Sequence, residues 1–144
     1  MTTKEYFEQA ITLDKRIDSK LEYLTSLRAL ATKTNSSLNE APVSGTRNVH
    51  RLEDVICKIT NLENEINADI DRLVDMKREF TDIIRRMQDP RQQLLMEKRY
   101  LCGHTWEEIS TEMNYDLRWV YRLHGQALLE AEKHIPGEPN AISQ

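Results

Sequence analysis

Helix breakers and cysteines are scarce in this chain of 144 residues, which has only 4 glycines, 4 prolines and 2 cysteines. So few breakers argue against a sandwich of short strands or a collagen-like repeat, and in favour of long helices. Aromatic residues make up 6% and apolar residues 39%, whereas 31% are charged. That balance suits amphipathic helices better than a disordered tail. No stretch approaches the roughly 20 uninterrupted apolar residues that a membrane span needs. The opening MTTKEYFEQA has no apolar signal core, so a cytoplasmic chain with reduced thiols is expected. Cys57 and Cys102 lie far apart and match no Cys-x-x-Cys spacing.

The net charge of −4 is unevenly spread. Residues 1–51 carry 8 basic and 6 acidic groups, residues 52–83 carry 4 and 9, and residues 84–144 carry 8 and 9. No segment is basic enough to announce nucleic-acid binding by charge alone. Any such case has to come from pattern.

Residues 4 to about 33 show helical spacing, with Leu13, Ile17, Leu24, Leu27 and Ala31 recurring at steps of three, four and seven. The run TNSSLNEAPVSGTRN, residues 34–48, holds Pro42, Gly45 and a cluster of Ser, Thr and Asn, and predicts a long loop. A second helix is strongly marked. Leu52, Ile59, Ile66, Leu73, Phe80 and Met87 repeat every seven residues, and Val55, Leu62, Met76 and Ile83 fall three residues after their partners. Only Asp69 interrupts that second column. This is a coiled-coil pattern, about 55 Å long at 1.5 Å per residue. The first helix is expected to fold back on it as an antiparallel hairpin. A hairpin buries little by itself, so a homodimer or higher homo-oligomer is expected through Leu52, Ile59, Leu62, Ile66, Leu73 and Phe80. The alternative cover is an intramolecular bundle with the C-terminal helices.

Asp89-Pro90 is a restart signal, an N-cap acceptor followed by proline at the first helical position. Beyond it the helices become short, and Tyr100, Trp106, Tyr115, Trp119 and Tyr121 cluster. The expected organisation is therefore a helical hairpin over 1–88, a small three-helix domain over 89–134 and a tail over 135–144. In that domain a helix ends at Gly103. Thr105 and Glu108 then form a capping box for a second helix, which presents Ile109 and Met113 inward. Asn114-Tyr115-Asp116 makes a turn, and Asp116 caps a third helix with Val120, Leu123, Ala127 and Leu128 facing the core. Helix, short turn, helix is the layout of a DNA-binding helix-turn-helix. Arg118, Trp119, Tyr121 and Arg122 occupy the first turns of the third helix, where base edges are met in a major groove. Thr105, at a helix N-terminus, is the candidate for a backbone phosphate.

These residues resemble region 4 of the bacterial sigma-70-type factors. The likeness rests on Leu95, Lys98-Arg99-Tyr100, Gly103, Thr105, Trp106-Glu107-Glu108-Ile109, Met113, Val120, Arg122 and Ala127-Leu128. The whole chain is similar to phage and prophage late transcription regulators of the ArpU/RinA-like type. The resemblance implies an all-α fold and sequence-specific binding of double-stranded DNA, with RNA polymerase as a further partner. Ser110 stands where that pattern has alanine, and Asn114-Tyr115-Asp116 replaces its commoner Gly-x-Ser turn, so target preference does not carry over.

Other chemistries find little footing. Cys102-x-His104 with a distant His124 falls short of the four ligands of a structural zinc site. No glycine-rich phosphate loop or catalytic triad spacing accompanies the acidic pairs, so neither an enzyme nor a cofactor is expected. Two other readings compete. One is a phage small-terminase-like packaging protein, although there the DNA-binding domain comes first. The other is a coiled-coil adaptor whose helix-turn-helix contacts RNA polymerase.

Overall fold

The computed structural model describes residues 1–40 and 45–137. They are all-helical, with no strand among them: α1 (Thr3–Glu40), α2 (Gly45–Arg86), α3 (Pro90–Met96), a π-helical turn (Glu97–Leu101), α4 (Trp106–Met113) and α5 (Leu117–Glu132). No described helix is long and apolar enough to cross a membrane.

The expected loop over 34–48 is largely helix. α1 continues through Thr34 to Glu40 and α2 starts at Gly45, while residues 41–44, including Pro42, lie outside the described residues. The polar run carries no true breaker before Pro42. Thr34, its first residue, donates to the Leu30 carbonyl at 2.9 Å, as Thr32 just before it donates to the Arg28 carbonyl at 3.1 Å. The tail also begins later than expected. Ile135 is 6% exposed and belongs to the core, and residues 138–144 lie outside the described residues.

The chain forms two compact units, and their boundary is not at residue 88. One unit takes residues 1–12 and 73 onward, the other residues 13–72. The reason is aromatic packing. Phe7 of α1 meets Phe80 of α2 at 4.7 Å and Tyr100 at 5.3 Å between ring centroids, so both ends of the hairpin helices join the C-terminal core. Leu95, Ile109, Val120 and Ala127 complete that core, each fully buried. Gln93 ties the end of α2 to α3 by donating to the carbonyls of Ile84 and Met87, satisfying acceptors that a helix end leaves open.

In the second unit α1 and α2 run antiparallel, since Lys20 pairs with Asp69 while Arg28, further along α1, pairs with Glu63. Leu24, Leu27, Leu62 and Ile66 form its apolar cluster, with Ile59 packed against it. Asp69, the interruption in the heptad column, is buried and meets the Lys20 ammonium at 2.5 Å. The Lys20 hydrogen bond holds its carboxyl below the usual carboxylate range, against the opposing effect of burial. Leu62 and Ile66, expected to meet another copy, are thus covered by this chain's own α1. Phe80 is covered within the other unit, where Leu73 packs against the core.

Candidate nucleic-acid interface

The local signals around the helix-turn-helix appear as anticipated. Asp89 caps α3 by accepting from the Arg91 amide at 2.9 Å, with Pro90 at the first helical position. Gly103 takes the left-handed conformation, φ 74°, that releases the chain from the preceding helix. Between them lies a feature the sequence did not signal, the π-helical turn, closed by Cys102 N–H donating to the Glu97 carbonyl at 3.0 Å.

Thr105 caps α4 through a complete capping box. Its hydroxyl accepts from the Glu108 amide at 3.1 Å, and the Glu108 carboxylate accepts from the Thr105 amide at 3.2 Å. The turn that follows pivots on Asn114, left-handed at φ 57°, a conformation asparagine tolerates better than most residues. Ser110 braces the turn by donating to the Tyr115 carbonyl. Asp116 then caps α5, accepting from the Trp119 amide at 2.8 Å.

α5 is cleanly two-faced. Val120, Leu123, His124, Ala127 and Ala131 are buried, and Leu128 is half-buried against the core. The opposite face carries Arg118, Arg122, Gly125, Gln126 and Leu129, all exposed. Trp119 and Tyr121 flank it on either side. The half-buried Trp119 meets Tyr115 edge-on at 6.2 Å, and the Arg122 guanidinium lies 5.8 Å from its ring centroid. Asp116, Arg118, Trp119 and Arg122 line a shallow depression of about 260 Å³. Tyr121 is half exposed, its ring edge resting on Trp106 at 5.7 Å. Trp106 is held in turn by the Arg99 guanidinium at 4.4 Å and His124 at 4.5 Å. Four of the five expected DNA-contact residues therefore lie on or beside one outward face of one helix.

Thr105 stands apart from them. Its hydroxyl oxygen and amide are both engaged in the cap, and Glu107, Glu108 and Glu112 crowd the same helix. Carboxylates there oppose a phosphate, so Thr105 is assigned to the cap. His104, Glu108 and Glu112 bring possible ligand atoms within 4.8 Å of one another. The Lys98 ammonium already occupies Glu112 at 2.7 Å, and His104 Nδ1 lies 3.1 Å from the same carboxylate. Lys98 holds the Glu112 carboxyl below its ordinary range, and Glu112 raises Lys98 in return. The arrangement is a polar knot joining the π turn, the Gly103 loop and α4.

Beneath the outward face lies a buried hydrogen bond, Tyr100 Oη to His124 Nε2 at 2.7 Å. Burial raises the Tyr100 phenol well above its usual value. Burial, with Lys4 and Arg99 adding positive charge, pulls His124 down to about 4. At neutral pH the phenol therefore keeps its proton and the imidazole is uncharged. In the sequence His124 had no role beyond an incomplete ligand set; its place is in the core. Arg91 was also passed over: its guanidinium pairs with Asp89 at 3.5 Å, and Asp89 and Tyr115 raise it above its ordinary value. Gly125, Gln126 and Leu129 were missed as well, although their spacing from Arg118 and Arg122 (three, four or seven residues) marks the same face.

A family model described as "Protein of unknown function (DUF1492)" matches residues 32–132, and the chain belongs to that family. No curated protein and no solved structure matches it.

Proposed function

We propose that this DUF1492 chain is a sequence-specific double-stranded DNA-binding transcription regulator of the phage or prophage type, with α5 as its recognition helix. One observation carries the reading: Arg118 and Arg122 share an outward face of α5 with Gly125, where no described residue crowds the position of a Cβ. A Cβ built at Gly125 meets no heavy atom within 4 Å. Glycine inside a helix costs about 1 kcal/mol relative to alanine, and close approach of an external backbone is one use that offsets the cost, although Gly125 also borders a depression shared with Met1, Thr2, Thr3 and Lys4. The two guanidiniums supply the planar forks that guanine edges accept in a major groove. Tyr121 and Trp119 add a hydroxyl and an indole N–H at the flanks.

The weak overall charge shapes the expected behaviour. Non-specific affinity is low, and occupancy depends on paired half-sites or on a protein partner at the promoter. Selection from random duplex oligonucleotides on the purified chain should enrich one motif. Arg118→Ala and Arg122→Ala should each lose about 1–3 kcal/mol and relax preference at single base positions. Failure to enrich any motif at low salt would overturn the DNA reading.

The acidic rim of α4, with Glu107, Glu108 and Glu112 around a shallow depression, favours a second reading in which a basic protein surface such as one on RNA polymerase docks there. Recovery of polymerase by the wild type, lost on charge reversal at Glu107 while oligonucleotide selection stays blank, would replace the first reading by this one.

A further inference from the structure

The unit of residues 13–72 leaves an apolar column of α2 exposed. On α2, α1 covers the column of Val55, Leu62 and Asp69, which are 9%, 7% and 7% exposed. The neighbouring column is half-covered at Leu52 and Ile59 and buried at Ile66. The next one, at Val49, Ile56 and Ile70, is open at 41%, 49% and 40% exposure. Glu63 sits in this open column, seven residues from Ile56 and seven from Ile70, and Arg28 of α1 reaches it at 3.1 Å. That ion pair identifies the edge of α1 on the same face. Leu21, seven residues before Arg28, shares the edge and is 43% exposed. Single exposed aliphatics are ordinary on a protein surface. Four along one face of a hairpin whose buried cluster is itself only four side chains call for a cover.

The central stretch of this column, Ile56, Glu63 and Ile70, matches itself. Ile56 and Ile70 are equidistant from Glu63, so an antiparallel two-fold axis at Glu63 sets Ile56 of one helix opposite Ile70 of its mate, twice over. The same axis gathers two Glu63 carboxylates and two Arg28 guanidiniums, which alternate in sign and sum to zero. We propose that a second copy of this chain covers this face, two hairpins meeting through the α2 column of Ile56, Glu63 and Ile70 as an antiparallel four-helix arrangement. The contact is isologous, and it uses a different column from the heptad positions buried by α1. It stands independently of the DNA reading, because none of its residues lies in the helix-turn-helix.

Sedimentation equilibrium on the full chain tests this. The wild type should be a dimer at micromolar concentration. Ile56→Glu with Ile70→Glu, at positions half exposed within one chain, should weaken association roughly 100-fold or more while circular dichroism retains the helices. A crosslinking arm does not depend on how that variant folds. In a Cys57→Ser, Cys102→Ser background, Ile56→Cys with Ile70→Cys should yield a disulfide-linked dimer under mild oxidant. The two sites are about 21 Å apart along one helix and cannot bridge internally. Ile56→Cys alone should stay uncrosslinked. A wild-type monomer at high concentration overturns the proposal and leaves the face to a foreign helix. Crosslinking by Ile56→Cys alone overturns it too, in favour of a parallel pairing, as does a dimer indifferent to both glutamates.

Discussion

Residues 1–12 and 73–137 bury fifteen side chains in one contiguous core, built on Phe7, Phe80 and Tyr100 and closed by three short capped helices. Residues 13–72, with two much longer helical segments, bury four in their cluster and add an ion pair where a fifth apolar layer would sit. Helix length and the size of the enclosed core are therefore decoupled here. Short helices that converge from several directions enclose their apolar side chains. Two long helices laid side by side each bury a single stripe, whatever their length. The first unit thus encloses its own core, whereas the second leaves apolar side chains of both its helices exposed.

The largest expected effect sets the two cores against each other. Phe80→Ala removes a ring that is 1% exposed and touches both Tyr6 and Phe7, and should cost about 3–5 kcal/mol in denaturant unfolding. Leu62→Ala, at 7% exposure on a hairpin with solvent on both flanks, should cost about 2 kcal/mol, at the low end for buried leucine. Amide exchange should follow the same order, with the hairpin opening at lower free energy than the aromatic core. Equal costs would mean that the two clusters behave as one.

Acid should narrow that gap. His124 titrates at about 4 in the folded chain against about 6.5 when unfolded. Between those values the unfolded state binds the extra proton, so stability falls as pH drops from 6.5 and levels off below 4. The full difference is about 3 kcal/mol, all of it in the aromatic core. His124→Gln should lose this slope, leaving only the carboxylate contribution. An unchanged slope would show that the imidazole is solvated.

What the sequence disclosed, and what it hid, divides along contact range. Asp89, Thr105 with Glu108, Asp116 and Gly103 act on backbone groups a few residues away, and all four appear where the sequence placed them. The heptads located α2, and Asp69 was visible as an anomaly. Its partner Lys20, 49 residues earlier, was not. The same holds for Tyr100 and His124, paired across 24 residues by a fold no local rule specifies. The polar run after residue 33 misled for a local reason: threonines that favour turns also cap their own helix carbonyls. The unit boundary misled because Phe7 is far from Tyr100 in sequence and next to it in space.

The Lys20–Asp69 pair offers a smaller test within the hairpin. Asp69→Ala should lower the thermal midpoint, because Lys20, whose side chain is only a quarter exposed, then keeps only the exposed Glu65 carboxylate at 3.6 Å. Lys20→Met with Asp69→Leu should restore or raise it, since packed apolar side chains replace a desolvated pair at no net loss. If the pair serves to fix register, the apolar double variant should also show broadened resonances from slipped helices. Sharp spectra would assign the register to the apolar stripe alone.

The smallest effect separates folding from function at a single atom. Gly125 lies mid-way along α5 with open space where a Cβ would go. Gly125→Ala should therefore stabilise the aromatic unit by about 1 kcal/mol through restored helix propensity. No core contact changes, so the unfolding midpoint should rise while the spectrum stays the same. If the face exists to admit a nucleic-acid backbone, the added methyl should weaken binding of the selected duplex even as the fold gains. Arg122→Ala should lose binding without that gain. A variant both more stable and equally tight would leave the glycine without a role in recognition, and the arginines would then have to carry the interface alone.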